Sequence, residues 1–198
     1  MTDAMPGSSE RLAVLFSAGD IAARIEHLAG QIAVQHPQRL LVVAVLNGSF
    51  IFAADLIRAL HGAGLAPEID FLALSSYREE TRSSGRITVL RDLESSVQGR
   101  DVLLVDDILE SGRTLAFARD LIAARGAERV TTCVLLDKRV PRAAPIAADL
   151  RAFECPDVFV VGYGMDLAHR FRELPFIGHL VRERSGGGGH DGTHPSGR

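Results

Sequence analysis

The chain has 198 residues, 46% of them apolar and 24% charged, with a formal net charge of -3 and no tryptophan. That length supports one domain with a full hydrophobic core rather than two generous ones, and a slightly acidic chain lacks the electrostatic footprint of a nucleic-acid binder. The longest apolar runs, such as residues 40–46 and 158–161, are strand-sized and far below the roughly 20 residues that span a bilayer.

Residues 1–11 include Asp3 and Glu10 and show no basic region followed by an apolar stretch, so a secretory signal is not expected and the cytoplasm is. This stretch and the tail, residues 185–198, rich in Gly, Ser and Pro, are expected to be disordered and to frame one domain over residues 12–184. Cys133 lies in an apolar run and Cys155 precedes Pro156; neither has metal-ligand spacing, so both are read as reduced structural thiols.

Along the chain, Ile21, Ile25, Leu28 and Ile32 recur at helical spacing from Ser17 onward, with Pro37 as the stop. An apolar strand is predicted over residues 40–46, a turn at Asn47-Gly48-Ser49, and a helix over residues 50–60 closed by Gly62 and Gly64. Strands follow over residues 69–77 and 86–93 around a polar loop at 78–85, then a strand at 102–109, a helix at 114–125 ended by Gly126, and a strand at 130–136. Apolar strands alternating with helices predict an α/β fold, a mostly parallel twisted sheet flanked by helices. Ligands bind beyond the carboxyl ends of such strands, which directs attention to the turns after Leu46, Leu109, Leu136 and Val161.

The segment Val102-Leu-Leu-Val-Asp-Asp-Ile-Leu-Glu-Ser-Gly-Arg-Thr114 is an apolar strand ending in Asp106 and Asp107, followed by a short polar loop that opens a helix. Ser111, Gly112, Arg113 and Thr114 at a helix N-terminus offer hydroxyls, backbone N–H groups and the positive dipole end to a phosphate. The two carboxylates would repel such a ligand unless they accept hydrogen bonds from ribose hydroxyls and hold a divalent cation bridging to the anion. Taken singly, Asp106, Asp107 and Glu110 read as an ordinary solvated turn and helix cap. No G-x-x-x-x-G-K-[ST] and no G-x-S-x-G is present, and Gly162-Tyr-Gly164 lacks the third glycine of a dinucleotide fingerprint.

The ordered whole of residues 102–114 closely resembles the 5-phosphoribosyl 1-diphosphate-binding signature of the type I phosphoribosyltransferases, and four further segments resemble the hypoxanthine (guanine) branch of that family, together covering residues 12–182. The resemblance implies the family's fold with a small hood built from the chain ends. It implies a pyrophosphate-binding loop at Asn47 and Gly48, commonly with a cis peptide; a mobile closing loop at Ser76, Tyr77 and residues 78–85; and an arginine on the leaving pyrophosphate at Arg172. Lys138 would donate to the purine 6-oxo oxygen, Phe159 would stack on the base, and Val160 would bond it through the backbone. Glu110 would be the general base for purine N7. Asp106 and Asp107 would hold magnesium, with help from Asp166.

Relatives commonly have aspartate where Glu110 stands, tyrosine where Leu167 stands and, in some, lysine at Arg113; none of these changes removes an acid, donor or metal ligand. The implied activity is purine salvage, joining hypoxanthine, and guanine as well, to 5-phosphoribosyl 1-diphosphate with release of pyrophosphate, by a homodimer or homotetramer that contacts neither nucleic acid nor membrane. The alternatives are a guanine- or xanthine-preferring transferase, which would read the same base edge, and an RNA-binding regulator of the same fold, which wants a basic surface that a net charge of -3 does not favour.

Overall fold

The structure is a computed structural model and describes residues 10–76 and 87–182. In chain order the elements are β1 (Glu10–Phe16), α1 (Ala18–Ala33), β2 (Leu41–Leu46), α2 (Phe50–Gly62), β3 (Glu68–Ser76), β4 (Ile87–Arg91), β5 (Asp101–Leu109), α3 (Arg113–Ala124), β6 (Arg129–Lys138), β7 (Leu150–Cys155), β8 (Val160–Val161) and β9 (Ile177–Arg182). Six strands form the main sheet in the order β4-β3-β2-β5-β6-β7. Its pairings are parallel except β3 with β4, which run antiparallel.

The apolar strands are explained by what covers them. In β2, Val42 and Ala44 face the core formed with α1 and α2, while Leu41, Val43 and Val45 face the core formed with α3. The same alternation divides β5, with Leu103 and Val105 on the first side and Val102 and Leu104 on the second. α1 begins with a capping box in which Asp20 N–H donates to Ser17 Oγ and Ser17 N–H to the Asp20 carboxylate. Its buried face is Ile21, Ile25, Leu28 and Ile32, the positions at helical spacing.

The expected hood is a separate three-stranded sheet, β1-β9-β8, made from the two ends of the chain. Its first strand begins before residue 12, the expected start of the domain. Glu10 and Arg11, expected to lie outside the domain, are strand residues because Arg182 and Val181 of β9 pair with them. β7, for which the sequence carried no prediction, adds an edge strand by pairing with β6. The tail from 183 onward lies outside the described residues, as do Tyr77 and the loop 78–85. Both cysteines are free and buried, and desolvation, aided by Asp149, pushes the Cys133 thiol up to about 12. Among the described residues no helix is long and apolar enough to cross a membrane.

Candidate active site

The parallel strands β2, β5 and β6 end side by side, and the hood turn after β8 comes over them. Asn47, Gly48, Asp107, Glu110 and Lys138 from the first group, with Phe159, Val160, Asp166 and Arg172 from the second, line one cleft of about 310 Å³. A larger groove of about 980 Å³ runs between α1 and α2, but neither Asp106 nor Asp107 lines it and its lining is mostly apolar. The smaller cleft lies at the carboxyl ends of the parallel strands, where ligands bind in open parallel sheets.

At its floor β5 delivers Asp106 and Asp107. Asp107 N–H donates to Asp106 Oδ1 at 3.0 Å and Ile108 N–H to Asp107 Oδ1 at 2.9 Å, so each carboxylate is fixed by the next amide. Burial, followed by repulsion from Asp107, pushes the Asp106 carboxyl well above the usual carboxylate range. Burial raises Asp107 as well, against the lowering pull of the Asp106 hydrogen bond, the Ile108 amide and the Arg172 guanidinium. Two adjacent carboxylates in this state favour hydroxyl donors and cations.

Gly48 leans on Asp107 so closely that a Cβ there would collide with the Asp107 carboxylate, and the peptide Leu46-Asn47 before it is cis. A side chain at position 48 would have to displace the Asp107 carboxylate.

β5 then opens into residues 110–112 and α3. Gly112 occupies the N-cap in the left-handed region, φ 77°, and no side chain caps the helix. Ser111 Oγ is 3.4 Å from Arg113 N, at the far limit of a hydrogen bond. With Thr114 half-buried in the first turn, this end of α3 is open to an anion. The loop is braced from outside by Ala143 N–H and Ala144 N–H, which both donate to the Ser111 carbonyl at 3.0 and 3.1 Å.

Lys138, Phe159, Asp166 and Arg172 complete the lining. Lys138 is the last residue of β6, not beyond it, and is 7% exposed; its Nζ lies 3.4 Å from Glu110 Oε1. Phe159 is an aromatic ring left 54% exposed at the cleft wall, beside buried Val160. Arg172 donates from Nη2 to Asp166 Oδ1 at 2.7 Å and from Nη1 to the Gly164 carbonyl at 2.5 Å. Asp166 also accepts the His169 N–H at 2.7 Å.

Of the site residues expected from sequence, Asn47, Gly48, Asp107, Glu110, Lys138, Phe159, Val160, Asp166 and Arg172 line this cleft, whereas Asp106 and residues 111–114 are not among its lining residues. Ser76 ends β3, and Tyr77 lies outside the described residues. Ile108 and Met165 also line the cleft. Sequence reasoning passed over both, because which face an apolar residue presents follows from the twist and crossing of elements distant in the chain.

Among the described residues no group of three His, Cys, Asp or Glu side chains could by itself cage a metal. The adjacent carboxylates of Asp106 and Asp107 still fit magnesium, a hard cation that takes one or two carboxylates and completes its shell with water and substrate phosphates.

A parallel sheet with an acidic strand end, an uncapped helix behind it and a hood over both is the architecture of a phosphoribosyl transferase domain, and the family model of that description matches residues 15–168. The hypoxanthine-guanine phosphoribosyltransferase of Bacillus subtilis is 41% identical over 168 residues, covering 84% of this chain and 92% of the relative. That of Dictyostelium discoideum is 37% identical over 172 residues, 86% of this chain and 96% of its own. A crystal structure of a hypoxanthine phosphoribosyltransferase from Staphylococcus aureus superposes with a TM-score of 0.79 at 37% identity, covering 85% of this chain and 91% of that one. The chain belongs to the hypoxanthine-guanine phosphoribosyltransferases of the type I phosphoribosyltransferase family.

Proposed function

We propose that this protein transfers the 5-phosphoribosyl group of 5-phosphoribosyl 1-diphosphate to hypoxanthine, and to guanine, giving IMP or GMP and pyrophosphate. The observation that carries the reading is the pairing of Glu110 Oε1 and Lys138 Nζ, 3.4 Å apart in a cleft that Asp107 and Arg172 also line. A 6-oxopurine presents an acceptor at O6 and a proton at N7 on adjacent positions, which a neighbouring ammonium and carboxylate match.

In the proposed reaction the C1–O bond to the diphosphate breaks as the base nitrogen forms its bond to C1, with inversion, through an oxocarbenium-like centre. Glu110 takes or shares the N7 proton, Lys138 donates to the 6-oxo oxygen, Phe159 stacks on the ring and the Val160 backbone bonds the base edge. Asp106 and Asp107 accept from the ribose hydroxyls. The amides of residues 111–114 hold the 5-phosphate, and Asn47, Gly48, Ser76, Tyr77 and Arg172 hold the diphosphate. Magnesium, held by Asp106 and Asp107 with Asp166 nearby, would neutralise charge on the departing diphosphate.

Mixing the protein with hypoxanthine, 5-phosphoribosyl 1-diphosphate and magnesium is expected to release pyrophosphate and form IMP; absence of turnover with every purine and pyrimidine base overturns the reading. Cytoplasmic residence and assembly into a homodimer or homotetramer belong to the same proposal, the latter tested by sizing chromatography.

A further inference from the structure

A partly buried polar contact joins the hood turn to α2, and neither of its residues lines the cleft. Tyr163 is 6% exposed and sits at φ 51° between Gly162 at φ 98° and Gly164 at φ 100°. Its hydroxyl donates to Asp55 Oδ2 at 2.5 Å, and the other Asp55 oxygen accepts from Arg58 Nη1 at 2.7 Å. Three successive left-handed residues, the middle one bulky, persist only where the surroundings hold them. Here Tyr163 N–H donates to the Leu174 carbonyl at 2.9 Å and Gly164 N–H to the Arg172 carbonyl at 3.0 Å, while the Arg172 guanidinium returns to the Gly164 carbonyl at 2.5 Å.

The turn bears directly on the diphosphate end of the cleft. Gly164 packs against the Gly48 carbonyl so tightly that a Cβ would collide with it, and Gly48 in turn abuts the Asp107 carboxylate. α2, which carries Asp55, starts two residues after Gly48. The Tyr163 hydroxyl therefore ties the hood turn to the same helix that leads out of the Asn47-Gly48 turn, and Arg172 is bonded to that hood turn. The purine end is anchored independently: Val160 pairs with His179 in the hood sheet, and Lys138 belongs to β6.

We infer that Tyr163 and Asp55 are a positioning pair for the diphosphate half of the site, setting Gly48 and Arg172 against each other while leaving the purine half alone. The inference rests on the phosphoribosyl-transfer reading above. Tyr163→Phe removes only the hydroxyl. Its KM for 5-phosphoribosyl 1-diphosphate is expected to rise about 10-fold, with the KM for hypoxanthine held within about 2-fold.

Calorimetric titration with inorganic pyrophosphate and magnesium should show a matching loss of affinity. Asp55→Asn, at a partly exposed carboxylate, should reproduce the split and supplies the reading if Tyr163→Phe fails to fold. The double variant should be no worse than the worse single one, as for one shared interaction. With an active wild type, the inference is overturned if both KM values move together, if only the melting temperature falls, or if the two substitutions add. A wild type that neither turns over nor binds pyrophosphate overturns the functional reading and the inference with it.

Discussion

Glu110 has one methylene more than the aspartate common at its position in the family, and that extra length spans the distance to Lys138, leaving 3.4 Å between them. If its carboxylate takes the N7 proton, Glu110→Gln is expected to lower kcat by about 10²- to 10⁴-fold, the usual span of positioned base catalysis. Glu110→Asp keeps the charge and should stay within about 10-fold of the parent rate. Steady-state rates unchanged in both variants would remove Glu110 from the mechanism. Gly48 makes a second case. It is not left-handed, so alanine there meets no backbone strain, but its Cβ would displace the Asp107 carboxylate. Gly48→Ala should raise the KM for 5-phosphoribosyl 1-diphosphate by about 10- to 100-fold with little change in melting temperature; an unchanged KM would show that the Asp107 position does not matter.

Between elements, the clearest electrostatic contribution lies away from the cleft. Asp70, buried in β3, accepts from Phe71 N–H at 2.7 Å, Glu94 N–H at 2.8 Å and Ser95 N–H at 2.7 Å, joining β3 to the segment that leads into β5. Burial alone would raise its carboxyl, but the donors from Ser95, Phe71 and Glu94 together outweigh it and hold the group below the ordinary carboxylate value. The folded value is the depressed one, so the stabilisation is complete above the unfolded value of about 3.9 and is lost as pH falls through the folded value. Asp70→Asn is expected to destabilise by about 1–3 kcal/mol at neutral pH. In urea melts the gap to the wild type should hold from pH 7 to about 5 and close below about 4; a gap that does not narrow with acid would overturn this account.

The same scale shows what the sequence could and could not disclose. β2, β5 and β6 announce themselves as apolar runs because both of their faces are covered, and α1 through helical spacing with a cap at Ser17. β7 carries Arg151 and Glu154 on an edge strand, and its burial repeats every third residue rather than every second, so it lacks the alternation that marks a strand. β1 and β9 gain their identity only from pairing with each other, as Glu10 does with Arg182. In the site, residues 106–114 are contiguous and so legible as a unit, whereas Tyr163 meets Asp55 across 108 positions and nothing local marks either one.

At the scale of the whole molecule, the cleft joins two ends of opposite character. The α3 N-terminus and Arg172 attract an anion, while the adjacent carboxylates of buried Asp106 and half-buried Asp107 resist one unless a cation lies between. The proposed function thus predicts a three-way dependence in thermal denaturation. Pyrophosphate with excess EDTA, or magnesium alone, should leave the melting temperature nearly unmoved. Pyrophosphate with magnesium at about 100 times its dissociation constant should add about 2.7 kcal/mol of stability, or roughly 5–10 °C for a chain of this size. Asp107→Asn, which removes one charge of the pair, should weaken the magnesium-dependent shift and allow some shift in EDTA, because both the cation's ligand and the repulsion it offsets are reduced. A shift in the wild type that is equal with and without magnesium would mean that the carboxylates face the ribose alone and that the diphosphate is held by Arg172 and the backbone amides.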